Sequence, residues 1–456
     1  MTSFLDRFFG IHAAGSTVRR EVVGGLTTFA TMSYIVFVQP TVLSAAGMDF
    51  GSVLMATCLS AAFASILMGV YAKLPIALAP GMGENFLFAF TVCSTFPGGM
   101  GFSWRGGLAI VLISGLLFIA LSLTPFREKV MTILPASLRY SIGPAIGLFI
   151  AFVGLQWGGI VTPSPATLVK LGSLHTGPAL LTIFGVVLIT TLMARNIQGS
   201  ILIGILSVGA LAIVTNVVPP STATATLSFT TFFQPDFGEL VEKWQSASIA
   251  IALFFFLVLF DTVGTLVGLG NKAGFIREDG SFDRAGKAFM TDAVATSVGA
   301  LFGTSTVTSF IESASGIAMG ARTGLAAVVT GLCFIGAIAL APIIQIAGQD
   351  IGPAFYGVAA TVPHVAMFPV VAPALIVVGF MMMGALRKVQ WDDVTESFPA
   401  FATMSMMVFG FGITEGVAMG CISHAVIKLL AGRGREVHPI LYTIAAALIA
   451  RYAFLM

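Results

Sequence analysis

Charge is what this sequence has least of. Only 9% of its 456 residues are Asp, Glu, Lys or Arg, while 57% are hydrophobic; an average soluble domain carries about 25% charged residues. A water-soluble surface cannot be built from that, which excludes an ordinary soluble enzyme. The formal net charge of +2 leaves no basic face for nucleic acid. Cysteine is scarce too: Cys58, Cys93, Cys333 and Cys421 sit in or beside apolar segments without paired metal-type spacing, so they read as small packing residues. Neither a G-x-S-x-G elbow nor an H-E-x-x-H helix is present, so a hydrolase finds no support and no metal or cofactor is implied. The start, MTSFLDRFFGIHAAGSTVRR, shows no cleavable signal peptide. The first long apolar run follows Arg19 and Arg20 and is expected to act as its own insertion signal.

What the chain has in abundance is apolar runs of membrane-crossing length, about 20 residues each. Candidate spans lie at 22–46, 52–73, 105–124, 139–157, 178–196 and 199–218, then at 247–270, 287–303, 323–346, 366–387, 396–432 and 437–455. Two shorter segments, 76–97 and 304–321, are interrupted by Gly, Pro or polar residues. The sum is an all-α polytopic membrane protein of about 14 segments. Residues 128–157 and 390–432 could each be one span with an interfacial helix, or a tight hairpin. Seven segments on each side of a polar connection (residues 219–246) would make 1–218 and 247–456 two inverted repeats. Phe37, Leu43 and Gly47 recur at the same spacing as Phe260, Leu266 and Gly270.

With a cytoplasmic N-terminus, Arg19, Arg20, Arg127, Lys129, Arg195, the Lys272–Lys287 stretch, Arg322, Arg387 and Lys388 fall on the inner side, as the positive-inside rule asks. Arg105 and Lys170 are exceptions, and Arg433 and Arg435 fit this count poorly.

The broken segments occupy the third place in each half, the position that points to a transporter binding site. In the first, Pro80, Gly81 and Gly83 disfavour continuous helix, and irregular backbone at membrane depth is tolerated only inside protein or along a cavity. Glu84 and Asn85 follow. Both have a bland reading, a first-turn acid and a cap, beside the functional one. In the second, the hydroxyl-rich run Thr304–Ser309 leads into Glu312. An acid in mid-span costs roughly 2.5–3.5 kcal/mol, so it is a functional candidate by default. Asp261 follows an unbroken apolar stretch, Ile249 to Phe260, and should also lie deep.

Two carboxylates can accept N–H groups from a flat, donor-rich ring, and a buried acid can also carry a proton. Phe86 and Phe310 could sandwich such a ring, although most aromatics in a chain with 39 Phe are packing. Tyr34 reads similarly. Asp292, Glu415, His364 and His424 are expected to be packing or interfacial groups.

The stretches APGMGENFLFAF (79–90), LFDTVGTLVGLG (259–270) and TSFIESASGIAMGARTG (308–324), with TTFATMSYIVFVQPTVL (27–43), resemble the nucleobase–cation symporter 2 superfamily, and most closely its AzgA-like purine permeases. That resemblance implies 14 segments, a core domain from segments 1–4 and 8–11, a gate domain from 5–7 and 12–14, and proton-driven import of adenine, guanine or hypoxanthine. By motif, Asp261 and Glu312 would hold the base and couple the proton, and Gly83 and Asn85 match the third-segment Gly-x-Asn. Phe86 and Phe310 would flank the ring, and the backbone near Ile311 and Ser313 would add hydrogen bonds. A homodimer is expected by analogy alone. Val258 and Glu84 depart from the pattern, an Asp and an uncharged residue being expected there. The rival is an anion carrier of the same architecture, which should present helix N-termini or a basic residue rather than two acids; a channel would not need paired buried acids.

Overall fold

The computed structural model describes residues 2–95, 99–124, 135–164, 166–218, 227–275, 282, 284–356 and 366–454. Arg127, Lys129, His364 and residues 219–226 of the central connection lie outside the described residues. Among those described, eight helical stretches are long and apolar enough to cross a membrane, from Val18–Ser44 to Ile413–Leu430. The chain is a polytopic helical membrane protein.

The two interrupted segments meet, and they do so as strands. Strand β1 (Leu78–Pro80) is the first of four among the described residues; β2 (Val161–Ser164) and β3 (Leu168–Leu171) form a separate hairpin, and β4 is Val307–Ser309. Strands β1 and β4 pair antiparallel, Leu78 opposite Ser309, Ala79 opposite Thr308 and Pro80 opposite Val307. Gly81 N donates to Thr306 O at 3.0 Å and Phe310 N to Ala77 O at 2.9 Å, which extends the ladder by one bond at each end. Proline can sit at this short edge because the missing N–H is not asked for there.

A two-stranded sheet inside hydrocarbon leaves unpaired outer edges, and each unsatisfied backbone group there is costly. Neighbouring helices supply the partners. Ser65, on the helix Phe50–Leu67, accepts from Leu78 N at 2.9 Å and donates to Leu78 O at 3.0 Å. Thr296, on Ala285–Phe302, donates to Val307 O at 3.0 Å. Asp292, one turn earlier and wholly buried, accepts from Ser309 N at 3.2 Å, from the Ser309 hydroxyl at 2.8 Å and from Thr262 at 2.8 Å. Asp292 thus closes the β4 edge, a packing role of the kind expected for it.

The helices around this strand pair, Val18–Met32, Phe50–Leu67, Trp104–Ser122, Ala285–Phe302 and Gly324–Ala337, pack on one another. Backbones approach closely where glycines face: a Cβ on Gly324 would run into the carbonyl of Gly69, the small-residue contact that lets membrane helices pack tightly. A second set, Ala136–Trp157, Gly177–Ala194, Ala372–Met381, Val394–Phe409 and Ile413–Leu430, packs among itself.

Residues 396–432, taken as one candidate span with a hairpin as the alternative, are two helices. Val394–Phe409 and Ile413–Leu430 lie side by side, joined at Gly410–Gly412 with Phe411 left-handed at φ 48°. Asp393, at the start of the first, bonds Arg433, just past the end of the second, at 2.7 Å. Arg433 and Arg435 therefore return to the side of Arg387 and Lys388, which removes the misfit in the charge pattern.

Candidate functional site

Strand β4 and the chain just after β1 form one wall of a cavity of about 800 Å³. Its lining comes from both broken segments, Met82–Glu84 and Thr308–Glu312, from Asp261 and Gly264 on the long helix Trp244–Ala273, and from Thr31 and Tyr34. The second helix set supplies Tyr140 and Ile146, and the turn Met382–Lys388 that follows Ala372–Met381 supplies Lys388. Among the lining residues Asn196, Gln198 and Lys388 are exposed, so the cavity reaches the surface there.

Glu312 precedes the short helix Ser313–Ala318, at the point where the chain leaves β4. Its Oε1 accepts from the Tyr34 hydroxyl at 2.7 Å. Tyr34 can reach it because the first span is interrupted there, between the helices Val18–Met32 and Ile35–Ser44. Ser315 donates to the Glu312 carbonyl at 2.7 Å and lies 2.9 Å from the Thr31 hydroxyl. Asp261 lies deep in the span yet open to the cavity, with the Thr308 side chain of β4 beside it. The second broken segment thus carries one acid and sets a threonine beside the other.

Glu84 is the third acid in the lining, 3% exposed. Its carboxylate and the Thr308 hydroxyl crowd the same side of Gly81, where a Cβ would meet both. Two cations also line the cavity, Arg139 and Lys388, the latter over the Tyr140 ring at 5.3 Å. Among the described residues no ion pair joins either cation to the three acids.

Of the residues singled out from sequence, Gly83, Asp261, Phe310, Ile311 and Glu312 line the cavity. Phe310 is 6% exposed and Ile311 47%. Gly83 also marks where the broken segment touches the second helix set, a Cβ there falling 3.0 Å from Ile146. Asn85, Phe86 and Ser313 are placed elsewhere. Asn85 is wholly buried behind the strands, accepting from the Ser305 hydroxyl, which Gln39 also approaches at 3.4 Å. Phe86 is also fully buried, packed 5.5 Å from Phe90 and 6.0 Å from Phe149 by ring centroids. Ser313 accepts from Ala77 N at 3.0 Å and so fixes the strand pair. Thr308, Thr31 and Ser315 went unnoticed as lining residues, since a hydroxyl in a helical or strand segment carries no separate signal.

The comparisons with known proteins agree with one another. The Permease family matches residues 19–419. A putative permease of Methanocaldococcus jannaschii is 41% identical, covering 99% of each chain. The guanine/hypoxanthine permease PbuG of Bacillus subtilis is 40% identical, over 99% of this chain and all of that one. The adenine permease AdeP of Escherichia coli is 39% identical, over 99% and 96%. By structure, the transmembrane domain of the cyanobacterial bicarbonate transporter BicA superposes with a TM-score of 0.61 at 12% identity, covering 88% of this chain and 97% of that one. Murine Slc26a9 in its inward-facing state gives 0.60 at 10% identity, over 91% and 69%. At such identity these two report the fold alone. The chain is a member of the permease family of nucleobase–cation symporter 2 transporters.

Proposed function

We propose that the protein imports purine nucleobases (guanine, hypoxanthine or adenine) together with protons across the cell membrane. The observation that carries this reading is the pairing of two acids in one membrane-depth cavity, Asp261 beside Thr308 and Glu312 held by Tyr34. Each carboxylate keeps lone pairs free for the N–H groups of a flat ring, and an acid accepts from such groups with more strength than a neutral oxygen does. Phe310 and Ile311 offer apolar contact beside them. Similarity to relatives named as guanine/hypoxanthine and adenine permeases supports the substrate class. An anion would meet three carboxylates, which weighs against the rival reading.

Proton coupling would use the same carboxylates. A proton and a base that occupy neighbouring lone pairs are released together when the site opens. Movement would carry the strand pair and its helices (segments 1–4 and 8–11) against the second set (5–7 and 12–14), an elevator-type motion with Gly83 and Ile146 at the sliding contact. With the N-terminus cytoplasmic, the opening beside Lys388 and Asn196 faces the cytoplasm.

The test is uptake of radiolabelled hypoxanthine in purine-transport-deficient cells, with purines, pyrimidines and oxyanions as competitors and a protonophore control. Competition by purines alone, with accumulation lost on adding the protonophore, is the expected result. Block by sulfate with no effect of any purine would overturn the reading.

A further inference from the structure

Glu84 is the one cavity carboxylate that the reading above leaves without a task. Glu312 takes a hydrogen bond from Tyr34, and Asp261 has Thr308 beside it. Glu84 takes none from the side chain of any other described residue, and its own backbone N–H lies nearest to it. It is nevertheless 3% exposed and part of the cavity wall. A carboxylate offers about four acceptor positions, and in a site poor in water the empty ones must be met by whatever fills the cavity.

Its position is fixed by backbone. Glu84 lies in the short helix Met82–Phe86, which begins directly after β1. Its carboxylate turns back over Gly81, beside the Thr308 hydroxyl that lies next to Asp261. Any residue but glycine at 81 would occupy that space. Glu84 and Asp261 therefore flank one hydroxyl, while Glu312 stands past Phe310 and Ile311 on the same segment. A ring in the cavity meets acceptors from the first broken segment, the second, and the long helix.

We infer that Glu84 is a specificity-determining residue that accepts the exocyclic amine of an amino-purine, so that the site prefers adenine and guanine to hypoxanthine. This rests on the purine reading and sharpens it. Hypoxanthine has two ring N–H donors and presents a carbonyl oxygen at its six-position. Adenine replaces that oxygen with an amine and loses the neighbouring ring N–H; guanine keeps the oxygen and adds an amine at its two-position, so each amine reaches Glu84 in its own ring orientation. A third carboxylate is met by the added N–H groups and is left unmet, or faces an oxygen, with the amine-free ring. An unmet buried acceptor is the strong form of discrimination, larger than that from a missing methylene.

The experiment measures equilibrium binding of adenine, guanine and hypoxanthine to the purified full-length protein, for wild type, Glu84→Gln and Glu84→Leu. Wild type is expected to bind the amino-purines about tenfold more tightly than hypoxanthine. Glu84→Leu should bring that ratio to about one, with Glu84→Gln between, because an amide keeps one acceptor. A ratio unchanged in both variants would overturn the inference. So would an equal loss of all three bases, which would make Glu84 a general structural group. Failure of wild type to bind any purine would instead refute the reading beneath it.

Discussion

Two groups of ionisable side chains lie among the helices, one closed by its own partners and one left open. At the end of the Ile413–Leu430 helix, Lys428, 2% exposed, touches Glu396 and Glu436 at 2.8 Å each. Arg433 holds Glu436 at 2.8 Å and Asp393 at 2.7 Å. In the cavity, Glu84, Asp261 and Glu312 have no cationic partner among the described residues, and Glu312 is met by the Tyr34 hydroxyl. Opposite charges in contact make a fixed clasp that holds helix ends together. Acids satisfied only in part keep acceptors for something that arrives and leaves.

The sharpest way to break this contrast is to neutralise one open acid. Glu312→Gln should abolish accumulation, with purine affinity falling about a hundredfold as a charge-assisted acceptor worth about 3 kcal/mol is lost. Surface expression should persist. Wild-type uptake by that variant would remove the residue from the mechanism. The opposite pattern is expected in the clasp. Lys428→Met leaves two acids facing each other and should lower stability by about 2 kcal/mol, a moderate case of breaking a buried pair, read as a drop in melting temperature. The ratio of affinities among purines should stay as in wild type, and a shifted ratio would mean that the two regions are coupled.

A smaller effect is expected from Tyr34→Phe. It removes the donor to Glu312 Oε1 and leaves the ring, so affinity should fall about tenfold, the value of one hydrogen bond to a charged group. An unchanged affinity would show that this contact does not orient the acid. The smallest effect concerns pH. Hydrogen bonds from Arg433, and then from Lys428, hold Glu436 down at about 2, below its ordinary 4.5. Arg433, with Thr395 beside it, holds Asp393 well below the usual carboxylate range. Depressed carboxyls stabilise fully above their unfolded values and cease to do so as pH falls through the folded ones. The melting temperature should therefore be flat from pH 8 to about 5 where this clasp is concerned, declining only below about 4. A decline beginning near pH 6 would assign the loss to other groups.

Much of this was legible in the sequence, and the reasons are physical. Pro80 with Gly81, and the hydroxyl run before Glu312, announced two places where a helix cannot continue in hydrocarbon, and these meet as β1 and β4. Asp261 and Glu312 were conspicuous because an acid in an apolar run needs a reason. The facing of Asn85 and Phe86 was not legible, since a helix of five residues after a strand has no periodicity from which to read a phase. Nor was the edge closure by Ser65, Asp292 and Thr296, which depends on tertiary neighbours. The hairpin at Gly410–Gly412 stood only as one alternative for residues 390–432, and the misplaced Arg433 and Arg435 were its trace.

The most direct measurement is a structure of the protein determined with guanine bound. The ring should lie in the cavity beside the β1–β4 pair, within hydrogen-bonding distance of Asp261 and Glu312, against Phe310. Guanine bound elsewhere, or those two carboxylates turned away from it onto Arg139 or Lys388, would contradict the proposal.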